Sequence, residues 1–322
     1  MARYVKAWLV LLTWVLSPGM GWAQSYPHQS IKIIVPFTPG TGMDTIARTV
    51  SPKLSERLGQ PVVVQNMPGA SGNIGADAVA RANPDGYTLL MGANTMLMAS
   101  QIYKNVPFNT IKDFAPVSMS AYGTLMLVAN PKTGIKTLKE LLDQAKARPG
   151  AINFGSPGVG TPHHMAMELF KAETNLFMLH VPYKGTAGYV QDLLSGEINV
   201  GFLPVHVAQG FVSSGRLNAL AVGSPKRHPV APNVATIDEL GIKGVNVDMW
   251  YAFFVPAKTP PAVVSRLNSE MVQVLAQPEV REVLGKAGLD AMSSSAADLG
   301  GIVVRDHARW GAVIKRNGIQ PE

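Results

Sequence analysis

Residues 31–37 read IKIIVPF, a β-branched run closed by Pro36 and Phe37, the pattern of a short buried strand. The period then changes. Ile46, Val50, Leu54 and Leu58 fall four apart and predict a helix with one apolar stripe, stopping at Gly59. Pro52 lies inside that stripe; it lacks a backbone N–H and crowds the preceding turn, so a kink is expected there. A strand over 61–66, a helix over 73–82 and a strand over 87–92 follow. The alternation restarts with a strand over 123–130, a helix over 137–147, a strand over 152–156 and a helix after Thr161. It continues through a strand over 179–183, a helix through Leu193 and Leu194, and strands over 198–203 and 217–223. Residues 247–261 give a strand and a proline-rich corner, before helices over 262–276, 278–286 and 296–315.

Strands alternating with helices predict parallel sheet with helices on both faces. No internal repeat and no low-complexity linker separates the two runs. The expected architecture is therefore α/β with two lobes, joined by crossing strands near 120–130 and 247–256. Lobe 1 takes 24–122 and 248–322, with the C-terminal helices returning to it, and lobe 2 takes 123–247. In such folds ligands bind at the carboxyl ends of the strands.

The first residues stand outside this alternation. Arg3 and Lys6 precede an apolar run over 7–16, then Ser17, Pro18 and Gly19 lead to GWAQ. A basic head, about ten apolar residues and small residues before a cut describe a secretory signal peptide over 1–23, cleaved after Ala23. A membrane-spanning helix needs ~20 apolar residues, and no later run reaches that length. The chain has no cysteine, which excludes disulfides, thiolate metal sites, cysteine nucleophiles and an N-terminal lipid-bearing cysteine. Export without disulfides points to a bacterial periplasm. Net charge is +7, and +5 once Arg3 and Lys6 leave. The tightest basic group, PKRH at 225–228, is too small for a nucleic-acid tract, so no nucleic-acid partner is expected.

The candidate chemistry lies in the turns after the strands. They are Thr38-Pro39-Gly40-Thr41-Gly42, Gly92-Ala93-Asn94-Thr95, the run from Gly155 to Thr161, and Pro182-Tyr183-Lys184-Gly185-Thr186. Each offers small residues, hydroxyls and exposed N–H groups where a helix or loop begins, which suits an anion such as a carboxylate. The first turn has no Gly-Lys-Ser/Thr ending for a nucleotide phosphate, and Thr45 stands where G-x-G-x-x-G needs its third glycine. Each glycine could equally serve only a tight turn, but four such turns facing one cleft would make a site of backbone amides and hydroxyls.

PFTPGTGMDTIAR, NMPGASGNIGADAVARANPDGYTLL, GSPGVGTPHHMAMELF and HVPYKGTAGYVQDLLSGEINV together resemble the Bug family, the periplasmic solute receptors of tripartite tricarboxylate transporters. The resemblance covers essentially the whole chain after Ala23. It implies the two-lobed type II periplasmic-binding fold, with a ligand carboxylate held between the first-strand turn and the turns of lobe 2. It also implies a small carboxylate ligand and membrane permease subunits as partners; no cofactor, no metal and a monomer are expected. By this resemblance Gly40 and Asp44 match the family's G-G-x-x-D turn, with Thr41 in place of the second glycine. Ser156, Gly158, Gly160 and Thr161 match G-S-x-G-x-G-[ST], His164 and Glu168 match the family's His and Glu on the next helix, and Tyr183, Lys184 and Gly185 match Y-K-G. Met67, Ser71 and Gly188-Tyr189 depart from the family pattern.

The expected ligand-binding set is Phe37, Thr38, Gly40, Thr41, Gly42, Asp44, Asn94, Thr95, Ser156, Gly158, Gly160, Thr161, Tyr183, Lys184, Leu203, Pro204 and His206. Within it, the turn over 38–42 and the hydroxyls of Ser156 and Thr161 are expected to donate to one carboxylate from opposite lobes. Asp44 reads as a ligand contact or as an acid at a helix N-terminus, and Lys184 as a carboxylate partner or a solvated turn lysine. His163, His164 and Glu168 lack a third ligand at metal-site spacing and read as helix-start residues. Catalysis is not expected. Gly69-Ala70-Ser71-Gly72-Asn73 fails the G-x-S-x-G nucleophile elbow at its last position, which disfavours an exported hydrolase. An exported sensor that presents a carboxylate to a signalling partner would share every one of these features.

Overall fold

The computed structural model describes residues 26–247 and 249–319; the signal-peptide reading over 1–23 lies outside the described residues. In chain order, β1 (Ile31–Val35), α1 (Gly42–Leu58), β2 (Val62–Asn66), α2 (Asn73–Ala80), β3 (Thr88–Ala93), α3 (Thr95–Ile102) and β4 (Phe114–Gly123) come first. Then follow β5 (Leu125–Ala129), α4 (Leu138–Ala147), β6 (Asn153–Ser156), α5 (Pro162–Thr174), β7 (Leu179–Pro182), α6 (Thr186–Ser195), β8 (Val200–Pro204), α7 (Val205–Ser213) and β9 (Asn218–Val222). The chain closes with β10 (Met249–Pro256), α8 (Pro261–Leu275), α9 (Pro278–Lys286), β11 (Leu289–Ala291) and α10 (Ala296–Arg316). The stripe through Ile46, Val50, Leu54 and Leu58 is buried, and Gly59 ends α1 at φ 67°, the left-handed cap that glycine adopts without strain. The helix continues through Pro52, whose ring lies on its exposed face.

Two sheets result. The first has the order β11-β4-β10-β3-β1-β2 and the second β7-β6-β8-β5-β9. Only Thr124 separates β4 in the first sheet from β5 in the second, and β10 brings the chain back. The expectation of parallel sheet needs correcting. β1 pairs parallel with β2 and β3, and β6 with β7 and β8, but β10 runs against β3 and β4, β11 against β4, and β5 against β8 and β9. Periodicity registers that a strand is buried, not which way it enters its sheet. Strands that carry the chain between sheets have no crossover helix to turn them parallel to their neighbours.

β10 is buried along its whole length, lying between β3 and β4 inside the first sheet. Its Trp250, Phe253 and Phe254 are among the largest fully buried side chains, each contributing ~2–3 kcal/mol of apolar burial. α8 and α10 pack on β4 of the first sheet, and α8 also on α1.

Candidate functional site

The β1–α1 turn is organised by Thr41. Its Oγ1 accepts from Asp44 N–H at 3.4 Å and donates to Thr38 O at 3.2 Å. That caps one of the first N–H groups of α1, which have no partner within the helix, and leaves those of Gly42 and Met43 without a partner in it. Gly42 is required for a second reason: a Cβ there would lie 2.8 Å from the Tyr251 hydroxyl of β10. Burial pushes the Tyr251 phenol up, so it remains an O–H donor. In the second sheet, Thr161 caps α5 in the same manner and Pro162 fills the first helical position.

These turns border one cavity between the two sheets, with an empty volume of about 600 Å³ including its open mouth. Of the residues expected at the site, Phe37, Gly40, Thr41, Gly42, Asn94, Thr95, Thr161, Pro204 and His206 line it. The starts of five helices meet there: Thr41-Gly42-Met43 of α1, Asn94-Thr95 of α3, Thr161-Pro162-His163 of α5, Thr186 of α6, and Pro204 with His206 of α7. Each helix start carries unpaired N–H groups and roughly half a positive charge. The rest of the wall is apolar, through Phe37, Met43, Ala93, Val207 and Met249. Among the described residues, no aspartate, glutamate, lysine or arginine lines this cavity. It is a positive environment without a cation.

The other expected residues lie elsewhere. Thr38, Gly158, Tyr183 and Lys184 line a second cavity of about 1040 Å³, which shares Phe37 and Pro157 with the first. There the Tyr183 hydroxyl donates to Asp192 at 2.6 Å. Asp44, Ser156, Gly160 and Leu203 line neither cavity. Asp44 is buried behind the first turn, accepting from Gly40 N–H, Arg48 and Asn66. Burial alone would raise its carboxyl, but those hydrogen bonds and the Arg48 charge bring it below the usual range. Ser156, 0% exposed, shares a 2.7 Å hydrogen bond with His180 Nε2 and also bonds Gly158. Its hydroxyl is therefore occupied inside the wall, against the expectation that it faces a ligand. Thr161 does border the cavity, but its proton goes to Gly158 O at 2.7 Å, so the hydroxyl is not a free donor either. Gly160 is pressed against Ala99 of α3, and Leu203 is packed in the core beneath α7.

His163 and His164 part company. His164 Nδ1 accepts from Gly160 N–H at 3.2 Å, and its ring stacks on His180 with centroids 4.2 Å apart. Burial, His180 and Lys171 hold it neutral. His163 instead lines the cavity, and neither of its ring nitrogens has a hydrogen-bond partner. Sequence reasoning named His163 as a helix-start residue and Thr186 in a candidate turn but left both out of the expected binding set, and it did not single out Met249 or Tyr251. Position alone could have found His163, two residues past a capping threonine, and the alternation that puts Met249 and Tyr251 on one face of β10. Among the described residues, no group of three or more His, Asp or Glu is placed to hold a metal ion.

Comparison with known proteins agrees with this architecture. A model of the "Tripartite tricarboxylate transporter family receptor" (TctC) matches residues 46–319. The protein BugT of Bordetella pertussis is 35% identical, over 92% of this chain and 91% of its own. Among solved structures, R. palustris Rpa4515 with adipate is 30% identical with a TM-score of 0.87, covering 92% of this chain and 100% of that one. MatC from Rhodopseudomonas palustris with bound malate is 28% identical with a TM-score of 0.83, covering 90% and 100%. Receptors of this kind bind solutes and are not enzymes.

Proposed function

The chain belongs to the tripartite tricarboxylate transporter receptor family, and we propose that its inter-sheet cavity takes a small organic carboxylate in the periplasm for delivery to the membrane permease of such a transporter. One observation carries the ligand class: five helix starts, drawn from both sheets, converge on a cavity that no charged side chain lines among the described residues. Such a wall favours an anion through N–H groups and helix dipoles. It offers no carboxylate to pair with an ammonium group and no cation to compete with it. The adipate and malate in the two R. palustris proteins support an acid of this size. The apolar wall suits the carbon skeleton of the acid. Because both sheets contribute donors, the ligand stabilises the arrangement in which the two sheets face one another closely.

A thermal-shift screen of organic acids, amino acids, sugars and divalent cations tests this reading. An acid at a hundredfold excess over its dissociation constant stabilises the folded protein by ~2.7 kcal/mol. Organic acids are expected to raise the melting temperature. A shift with sugars or cations and none with acids would reject the carboxylate.

A further inference from the structure

His163 is 8% exposed, lines the cavity, and presents two ring nitrogens that no protein group satisfies. Buried polar atoms without partners are uncommon because each forfeits its hydrogen bonds to water. The neighbouring groups do not explain the residue. Among the described residues its aromatic neighbour is Tyr189, edge-on at 6.5 Å between centroids, and the Tyr189 hydroxyl donates to Phe202 O. The capping hydroxyl of Thr161 takes the N–H of His164, so the N–H of His163 is also left without a partner in α5. Ring and backbone of one residue thus bring two polar groups without protein partners to the same stretch of wall.

Resting on the carboxylate reading above, we propose that His163 is a direct ligand contact, its imidazole N–H donating to the bound acid beside its own backbone N–H. Burial pushes the imidazole down to about 3, so at neutral pH the ring is uncharged and carries a single N–H. Its partner is an acceptor, as a carboxylate oxygen is, and the cavity that His163 lines is where one can reach it. The unliganded protein holds this ring at a cost to its own stability, and the ligand removes that cost.

This gives opposite signs to two measurements on one variant. His163→Leu replaces a buried ring carrying two unpartnered nitrogens with an apolar side chain, so the unliganded protein should melt about 2 °C higher or more. The same variant should bind acids about ten- to a hundredfold more weakly. His163→Gln keeps an N–H donor and should stay within about tenfold of wild type. The probes are adipate, malate and benzoate in calorimetric titrations at pH 7, with melting followed separately without ligand. Higher melting together with weaker binding supports the contact. If His163→Leu binds the best acid as wild type does, this inference is overturned while the carboxylate reading stands. If it melts lower, the ring serves packing and the inference is again overturned. If none of the three acids binds wild type, both readings fall together.

Discussion

The turn that starts α1 in the first sheet and the turn that starts α5 in the second are built alike. Each is Gly-Thr followed by two residues and a side chain that reaches back. Gly40 and Gly160 sit at φ 84° and 73°. Thr41 and Thr161 each accept from the N–H three residues on, at 3.4 Å, and each donates to the carbonyl three residues back. Asp44 then accepts from Gly40 N–H at 3.0 Å, as His164 does from Gly160 N–H at 3.2 Å. In both, the helix start is finished by its own chain, so the N–H groups left without a partner in the helix are those of Gly42 and Met43 in the first turn and of His163 alone in the second, since Pro162 has none. The difference lies in what surrounds the shared device. The first turn is braced by a carboxylate with Arg48 and Asn66, and its second helical residue is Met43. The second is braced by stacked neutral histidines, and its second helical residue is His163. One wall is held by charge, the other by uncharged rings.

Acid should therefore break the two turns at different pH, and this is the largest effect expected. Burial holds His163 down to about 3 and His180 to about 4, and burial with the His180 and Lys171 charges keeps His164 well below its usual value. The unfolded chain takes up these protons near pH 6.5, whereas the folded protein refuses them until about 4 or below. Stability is whole above pH 6.5 and falls with pH by ~1.4 kcal/mol per unit for each such histidine. Asp44 is lowered, so its contribution persists until the pH falls below the ordinary carboxylate range. Hydrogen exchange at pH 5 should show the amides of His164 and Met165 losing protection while those of Asp44 and Thr45 keep it. Equal loss at both turns would remove the distinction.

Alanine at the two glycines sharpens the comparison next. At Gly160 a Cβ would lie 2.8 Å from Ala99 Cα in a left-handed conformation, whereas at Gly40 nothing lies within 4 Å. Gly160→Ala should cost roughly 3 kcal/mol or more, combining strain with overpacking against backbone, and Gly40→Ala about 1–2 kcal/mol from strain alone. Denaturant midpoints at unchanged slope give both values. A smaller loss at Gly160 than at Gly40 would mean that α3 can move away from the turn.

Most of the strand–helix alternation was legible because one-sided burial writes a period into each segment, as in Ile46, Val50, Leu54 and Leu58. The elements missed are those without such a period. β4 places Ser118 and Ser120 in full burial, where Ser118 bonds the backbone at Met119 and Ser294. α3 is buried nearly all round, so its methionines form no stripe. At the site, the glycine and threonine positions at helix starts were visible as local chemistry. His163, two residues past the capping threonine, could have been singled out by that position, whereas its packing against the cavity rests on contacts distant in sequence. No local pattern shows that Ser156 would be claimed by His180, which lies 24 residues along the chain. Ser156→Ala leaves His180 Nε2 without that partner and should cost about 1–3 kcal/mol of stability, with acid binding unchanged. Weaker binding without loss of stability would return the serine hydroxyl to the ligand.

The smallest effect expected comes from the shared capping threonines, where the two turns differ least. Replacing a capping threonine with alanine typically costs ~1 kcal/mol. Thr161 should exceed that and Thr41 fall short of it. The Thr161 hydroxyl is buried and donates to Gly158 O at 2.7 Å, whereas the Thr41 hydroxyl is half-buried and its bond to Thr38 O is 3.2 Å. Serine at either position keeps the hydroxyl and should restore nearly all of the loss. Neither alanine variant should change acid binding by more than about threefold, because each hydroxyl proton is already given to a carbonyl of its own turn. Melting curves and titrations on Thr41→Ala, Thr161→Ala and the two serine variants check both halves. A loss of affinity that serine rescues, at either position, would show that the hydroxyl leaves its cap to meet the ligand. The likeness of the two turns would then be a likeness of binding groups and not only of helix starts.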